Sequence, residues 1–214
     1  SKDIMFASQV SGSYGAKDNS GNYIWPKLHF YHMLTYISIE IVAESETIAR
    51  AWGEIKDMRL KSAIEDGKLY NAVSIPLNTS VTYSGNRYSA QNVRYYNECD
   101  DLLFYSNGTV NDVFPGAGGY ELDYSPEEVA YTLCAPVTGT GNGSNEFNIE
   151  IITGRRSLIV PVNLMEGENT EYIGSTMGKR FDIQLFFRAG DNIMVSALCN
   201  EWKTGGTGSA ELDE

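Results

Sequence analysis

The chain has 214 residues, 42% hydrophobic and 21% charged, an ordinary globular balance that excludes a disordered segment or a membrane-embedded class. A formal charge of −12 repels phosphate backbones and anionic lipid, which excludes nucleic acid as a partner. Three cysteines, Cys99, Cys134 and Cys199, lie far apart with no CxxC or Cys/His ligand spacing, so neither a disulfide scaffold nor a structural zinc site is expected. Cys134 and Cys199 fall in apolar phases and read as buried structural thiols.

In chain order, the first apolar run is Ile4 to Ala7, entered without a leader; no signal peptide, transmembrane run or lipidation signal occurs in these residues. Leu28, Phe30, His32 and Leu34 share one strand face, whereas Ile37, Ile39 and Ile41 have the opposite parity. A bulge or break near Thr35-Tyr36 reconciles them. Ile55 to Leu60 and Leu69 to Leu77 flank Glu65-Asp66-Gly67 and predict a hairpin, with Pro76 at the strand's end or on an edge. Val93 to Tyr105 is aromatic-rich. The turn-rich stretch from Ser106 to Gly119 marks a domain junction, with the division placed at 98/99: residues 1–98 as a first β-sandwich and 99–214 as a second, ending in a flexible tail. Ser125-Pro126-Glu127-Glu128 carries N-cap and first-turn signals and predicts one short helical turn before a strand over Ala130 to Pro136.

A flexible loop is expected at Thr138 to Asn145, then a hairpin of Phe147 to Ile152 with Leu158 to Leu164 across Thr153 to Arg156. The clearest signal comes last. Phe181, Ile183, Leu185 and Phe187 alternate with polar residues, turn at Ala189 to Asn192, and Ile193, Val195, Ala197 and Cys199 alternate back, a β-hairpin with one apolar face. Trp202 closes the pattern, and the fold is expected to end on a central strand followed by a loose tail, Lys203 to Glu214. No segment longer than about ten residues shows helical periodicity, and the class is all-β.

Chemistry-bearing residues are sparse. His29 and His32 lie three apart on a strand and point to opposite faces, so they cannot chelate one metal, and His32, flanked by Phe30 and Leu34, reads as a packed core histidine. No GxSxG elbow and no cysteine beside a histidine is present. The Gly-rich segments at Gly116 to Gly119 and Gly139 to Gly143 lack the lysine and following helix of a phosphate cradle and read as turns. Glu98, Asp100 and Asp101 read as a solvated acidic loop rather than a calcium site, and Tyr95, Tyr96, Phe104 and Tyr105 read as strand partners rather than a sugar platform. No catalytic, cofactor-binding or metal-binding residue is named, no cofactor is expected, and the chain does not read as an enzyme.

Four segments in order resemble the fimbrillin family of Bacteroidetes, the fimbrial subunits and their surface lipoprotein relatives. Asp3 to Ser8 resembles the short "DLMYA" strand, and Leu28 to Leu34 with Ile37, Ile39 and Ile41 resembles the "L-x-F-x-H-x-L" strand and its continuation. Leu133-Cys134-Ala135-Pro136 resembles "LLIPQ", with Val137 in place of the glutamine, and Gly178 to Leu185 followed by Ile193 to Trp202 is similar to the closing "G-K-x-Y-x-I-x-L … I-x-V … W" hairpin. The resemblance implies tandem transthyretin-like β-sandwich domains, the first lacking its N-terminal part. It implies a non-enzymatic structural subunit of a fimbrium or adhesin at the cell surface, attached to the outer membrane only through a lipid anchor absent from these residues. The implied partners are other fimbrial subunits, joined by strand exchange, and a host surface protein or glycan. The tail from Lys203 to Glu214 lacks alternating apolar residues and makes a poor donor strand, which favours a tip or accessory subunit over a shaft subunit. A glycan-binding β-sandwich is the alternative reading, and a hydrolase with two acids in a cleft is a third.

Overall fold

The computed structural model describes residues 5–7, 15–24, 30–64, 67–76, 79–84, 87–107, 112–136, 147–166, 171–172, 177–190 and 192–201. The path runs β1 (Met5–Ala7), β2 (Phe30–His32), β3 (Thr35–Ala43), α1 (Glu46–Trp52), β4 (Ile55–Ser62), β5 (Leu69–Ser74), β6 (Val81–Ser84), β7 (Arg87–Ala90) and β8 (Arg94–Cys99). It continues through β9 (Asp101–Leu103), β10 (Tyr105–Ser106), β11 (Glu127–Cys134), β12 (Phe147–Thr153), β13 (Ser157–Val162), β14 (Met165–Glu166), β15 (Glu171–Tyr172), β16 (Lys179–Arg188) and β17 (Asn192–Glu201).

Alternation of apolar and polar residues builds the two principal sheets, because successive strand side chains point to opposite faces. A five-stranded sheet, ordered β10-β11-β3-β16-β17, faces a four-stranded sheet, β13-β12-β4-β9. From the first, Ile37, Ile39, Ile41, Phe181, Ile183, Leu185 and Phe187 enter the core, and from the second, Met58, Leu60, Phe147, Ile149, Ile151 and Val162 meet them. The all-β sandwich expected from the sequence is what the chain forms. Strands from both sides of residues 98/99 share each principal sheet and its core, so that division does not separate the sheets.

The middle of the larger sheet is the parallel pair β3–β16, in register from Arg180 opposite Tyr36 to Phe187 opposite Ala43. The closing hairpin is as expected, with Phe181 opposite Cys199 and Phe187 opposite Ile193. Its second strand, however, is an edge and not a central strand: among the described residues β17 pairs with β16 alone. Alternation reports which face is buried and carries no information about lateral neighbours. The parity switch before Ile37 is resolved by a break at Met33-Leu34, with β2 on one side and β3 on the other. Here β2 pairs with β1 rather than entering the larger sheet.

Two local expectations fail. β4 and β5 do not form a hairpin; β4 lies between β12 and β9, and β5 pairs with β8. The apolar face of β4 joins the core beside β12. Glu127 and Glu128 begin strand β11 instead of a helical turn, because pairing with Ile41 and Glu40 of β3 outweighs the local capping signal. The 12-strand-side hairpin of β12 with β13 holds as expected. The loop expected at 138–145, the tail 203–214, His29 and Trp202 lie outside the described residues.

The sequence reading passed over α1. Its signals are local: Ser45 caps the N-terminus by accepting from the Ile48 amide at 3.3 Å, Glu46 and Arg50 sit in the first and last turns, and Gly53 ends it at φ 74°. The helix carries Trp52 into the core, where the indole Nε1 donates to the Arg188 carbonyl at 2.9 Å and meets the Phe187 ring edge to face at 5.1 Å. The Arg156 guanidinium covers the same indole at 4.4 Å. Gly119, at φ 82°, lets the 116–119 turn approach β4 so that Ile55 and Tyr120 exchange backbone hydrogen bonds at 2.8 and 2.9 Å; a Cβ there would meet the Ile55 oxygen at 3.0 Å.

A second, smaller apolar cluster joins Met33, Leu34, Val73, Leu133 and Met177, with half-buried Phe6, Tyr36 and Tyr95 against it. It covers one end of the outer face of the larger sheet, where Tyr36 and Leu133 project. Among the described residues no helix is long and apolar enough to cross a membrane.

Replacing Trp52 by alanine removes the helix anchor, the ring contact and the hydrogen bond together. Unfolding in urea should lose about 3–5 kcal/mol relative to the parent chain; a loss under about 1 kcal/mol would mean that the indole is not a core residue.

Candidate functional site

A sandwich of this kind has four lateral edges, and they are not alike. β10 is two residues long and is bridged through Tyr105 to Val113, and β9 has three residues. β13 is longer but holds Pro161, which lacks an N–H to donate, beside Ile159, 61% exposed. These three edges are blunted by shortness or proline, the devices that protect natural sheets from pairing with foreign strands.

β17 has neither shortness nor proline, although β13 and β14 lie against it. Its ten residues run in unbroken register with β16, without a proline or a bulge, and positions 192 to 200 include no charged side chain. Asn192, Met194, Ser196 and Leu198 are exposed on the outer face, with Met194 at 49% and Leu198 at 47%. Ile193, Val195, Ala197 and Cys199 are half-buried against the core. A long, uncharged and partly apolar outer strand offers side-chain positions for an added strand wherever β14 does not cover its backbone. Phe186 of β16 stands opposite Met194, and the Met194 Sδ accepts from Arg188 Nη1 at 3.2 Å.

The outer face of the same sheet is polar and internally paired. Arg180 of β16 donates from Nε to Asp182 Oδ1 at 2.6 Å and from Nη2 to Glu128 Oε2 of β11 at 2.7 Å, spanning β3. Ser38 Oγ of β3 donates to Asp182 Oδ1 at 2.5 Å, and Gln184 donates to Glu40. The tyrosines form a row. Tyr36 and Tyr131 stack at 5.6 Å with 6° between planes, Tyr131 meets Tyr105 at 6.0 Å, and the Arg180 guanidinium lies over Tyr36 at 5.2 Å. With Arg180 and Tyr131 both stacked against it, Tyr36 has its ring faces engaged within the protein, whereas a sugar platform needs ring faces open to the ligand.

The other sequence candidates scatter. His32 is buried. The three acids have separate partners: Glu98 accepts from the Tyr70 hydroxyl at 3.0 Å, Asp100 pairs with Lys68, and Asp101 lies 3.7 Å from Arg59. Among the described residues no group of three His, Cys, Asp or Glu is placed to hold a metal ion. Tyr95 and Tyr96 point to opposite faces of β8, Tyr96 exposed and Tyr95 largely buried, while Phe104 is in the core. None of the cysteines is in a disulfide; Cys134 is buried, but Cys199 is only half-buried, as its place on the edge strand requires. A cleft of about 400 Å³ beside α1 is lined by Glu46, Arg50, Glu54 and Glu121, of which Glu46 pairs with Arg50 and Glu54 with Lys56. The significance of β17 was missed because an edge is a property of the sheet order, although its uncharged, proline-free run is visible in the sequence.

No family model matches the chain, and no curated protein matches it. Solved structures do. A "putative cell adhesion protein" from Bacteroides uniformis is similar over 94% of this chain at 15% identity, with a TM-score of 0.44. A "fimbrial protein" from Bacteroides vulgatus is similar over 82% of the chain at 14% identity and a TM-score of 0.39. A protein named like the first, from Parabacteroides distasonis, is similar over 82% at 8% identity and a TM-score of 0.35. The chain spans 60%, 56% and 53% of the lengths of these three proteins.

Burial pushes the Tyr36 hydroxyl up to about 12, with the Glu128 carboxylate adding to it; burial likewise raises Tyr95 and Tyr120 to about 12. The ordinary tyrosine value is about 10, so the unfolded chain loses these protons first, and stability that is complete below pH 10 falls as the pH rises from 10 to 12. Absorbance at 295 nm should resolve a late-titrating tyrosine class in this window, accompanied by a falling melting temperature. Titration of every tyrosine near pH 10 would show that the three rings are not buried in solution.

Proposed function

We propose that this protein is a structural subunit of a fimbrium or adhesin at the cell surface of a Bacteroidetes-type bacterium, joined to other subunits by β-strand addition. The observation that carries the reading is β17, the outer strand of the larger sheet: ten residues without proline, bulge or charge between positions 192 and 200, where the other three edges of the two principal sheets are short or hold a proline, with β13 and β14 lying against it. Soluble proteins protect long edges, and one left unprotected serves pairing with another chain. The fimbrillin-like motifs support the same reading: the segment resembling the short first strand forms β1, and the one resembling the closing hairpin forms β16 and β17.

The finer role is that of a tip or accessory subunit, since the residues from Lys203 to Glu214 lack the alternating apolar side chains a donor strand inserts. Attachment to the outer membrane would come through a lipid anchor outside these residues. A glycan-binding platform has less support, since Phe104 is in the core and Tyr95 and Tyr96 point to opposite faces of β8.

Immunogold labelling of intact cells with antibody to this chain tests the proposal. Gold on the unpermeabilised surface, concentrated on or at the ends of filaments, is the expected result. Labelling that requires permeabilised cells would overturn it.

A further inference from the structure

Met194 stands apart from the core methionines. Met33 and Met58 are fully buried and Met177 is 9% exposed, whereas Met194 on the outer face of β17 is 49% exposed even with β13 and β14 lying against that strand. A cation is aimed at its sulfur: Arg188 Nη1 donates to Met194 Sδ at 3.2 Å. The hairpin register explains the contact. Phe186 stands opposite Met194 and Arg188 opposite Asn192, so Arg188 is a diagonal neighbour of Met194 on the same face of the sheet. Both ends of Arg188 are anchored, since its Nη2 lies 3.8 Å from Glu44 Oε1 and its carbonyl accepts from the Trp52 indole at 2.9 Å.

A thioether is a weak acceptor, so the guanidinium gains little from it as it stands. A sulfoxide oxygen is a much stronger acceptor, and a hydrogen bond from a charged donor is about twice as strong as one between neutral groups. We propose that Met194 is a site of oxidation to the sulfoxide by small peroxides, with the Arg188 guanidinium receiving the new oxygen. Hydrogen peroxide transfers one oxygen atom to Sδ: a sulfur lone pair forms the S–O bond, the peroxide O–O bond breaks, and the other oxygen leaves as water with both peroxide hydrogens. Sulfur is oxidised by two electrons and the peroxide is reduced by two.

Place decides what this oxidation does to the fold. Inside a core, the polar S–O group would replace apolar surface and disrupt packing. At Met194 the oxygen forms at the surface beside a fixed donor, and it tightens the link between β17 and the end of β16. Met5 is exposed to a similar degree, 47%, but has no cation hydrogen-bonded to its sulfur among the described residues, so oxidation there brings no such gain. The inference uses no open edge of β17 and stands apart from the assembly role.

The test uses the full chain with Met5→Leu and Met165→Leu as the parent. Peptide mass mapping after brief treatment with hydrogen peroxide should place a gain of about 16 Da on Met194, with Met33, Met58 and Met177 oxidised about tenfold more slowly or less. The oxidised parent should melt about 1–2 °C above the reduced one. Arg188→Ala and Arg188→Gln should show no such rise; each is compared with its own reduced form, so the lost contact with Glu44 does not enter. Met194→Leu should not respond to peroxide.

Nitrogen NMR of the parent reads the contact without an arginine variant: the Arg188 guanidinium protons should exchange with water about tenfold more slowly once Met194 is oxidised. A parent whose melting temperature stays level or falls on oxidation, an equal rise in the Arg188 variants, unchanged guanidinium exchange, or a Met194 that reacts no faster than Met33 would each overturn the proposal.

Discussion

The fold depends on one parallel pairing, β3 with β16. Eight successive positions match, and each carries a contact on one of the two faces. Inward, Ile37, Ile39 and Ile41 lie beside Phe181, Ile183 and Leu185, the middle of the core. Outward, Ser38 bonds Asp182, Glu40 bonds Gln184, and Arg180 reaches across β3 to Glu128 of β11. A register slip of one residue would turn both sets to the wrong faces, so the apolar and polar halves of the pair specify the same alignment. Without β16, β17 loses its pairing strand and β3 has one edge exposed.

That arrangement also decides where the molecule can meet another. Because β16 is held between β3 and β17, the last described strand is displaced to the rim, where its inner face packs half-covered against the core and β13 and β14 lie against it. The protected edges belong to strands whose length or proline content limits what can add to them. The long outer strand β17 belongs to the most regular hairpin among the described residues. Regularity that makes β17 easy to read in the sequence also makes it a good template.

The strands with strong alternation were legible: β3, β12, β13, β16 and β17 follow from period-two patterning, and the parity switch before Ile37 announced a break, read near Thr35-Tyr36 and found at Met33-Leu34. Partners across the sheet were not. The Glu65 to Gly67 turn suggested that β4 and β5 pair, yet β4 belongs beside β12, some ninety residues on. Ser125 to Glu128 carried the vocabulary of a helix start and became a strand entry under tertiary pairing, while the true helix after Ser45 was too short to show a period. Similarly, Tyr95, Tyr96, Phe104 and Tyr105 read as a possible platform or as strand partners, and the fold puts Phe104 in the core and Tyr95 and Tyr96 on opposite faces of β8.

The parallel β3–β16 pair has a consequence for biosynthesis. Its halves are separated by about 140 residues, so loop closure of the largest kind precedes the central sheet, and local hairpins such as β12–β13 can form long before it. During synthesis the N-terminal half must wait, with Ile37, Ile39 and Ile41 unburied on one side, until residue 188 has left the ribosome. A chain that completes its core last remains extended and threadable for that interval. Until then the apolar face of the nascent β3 stays open to wrong partners.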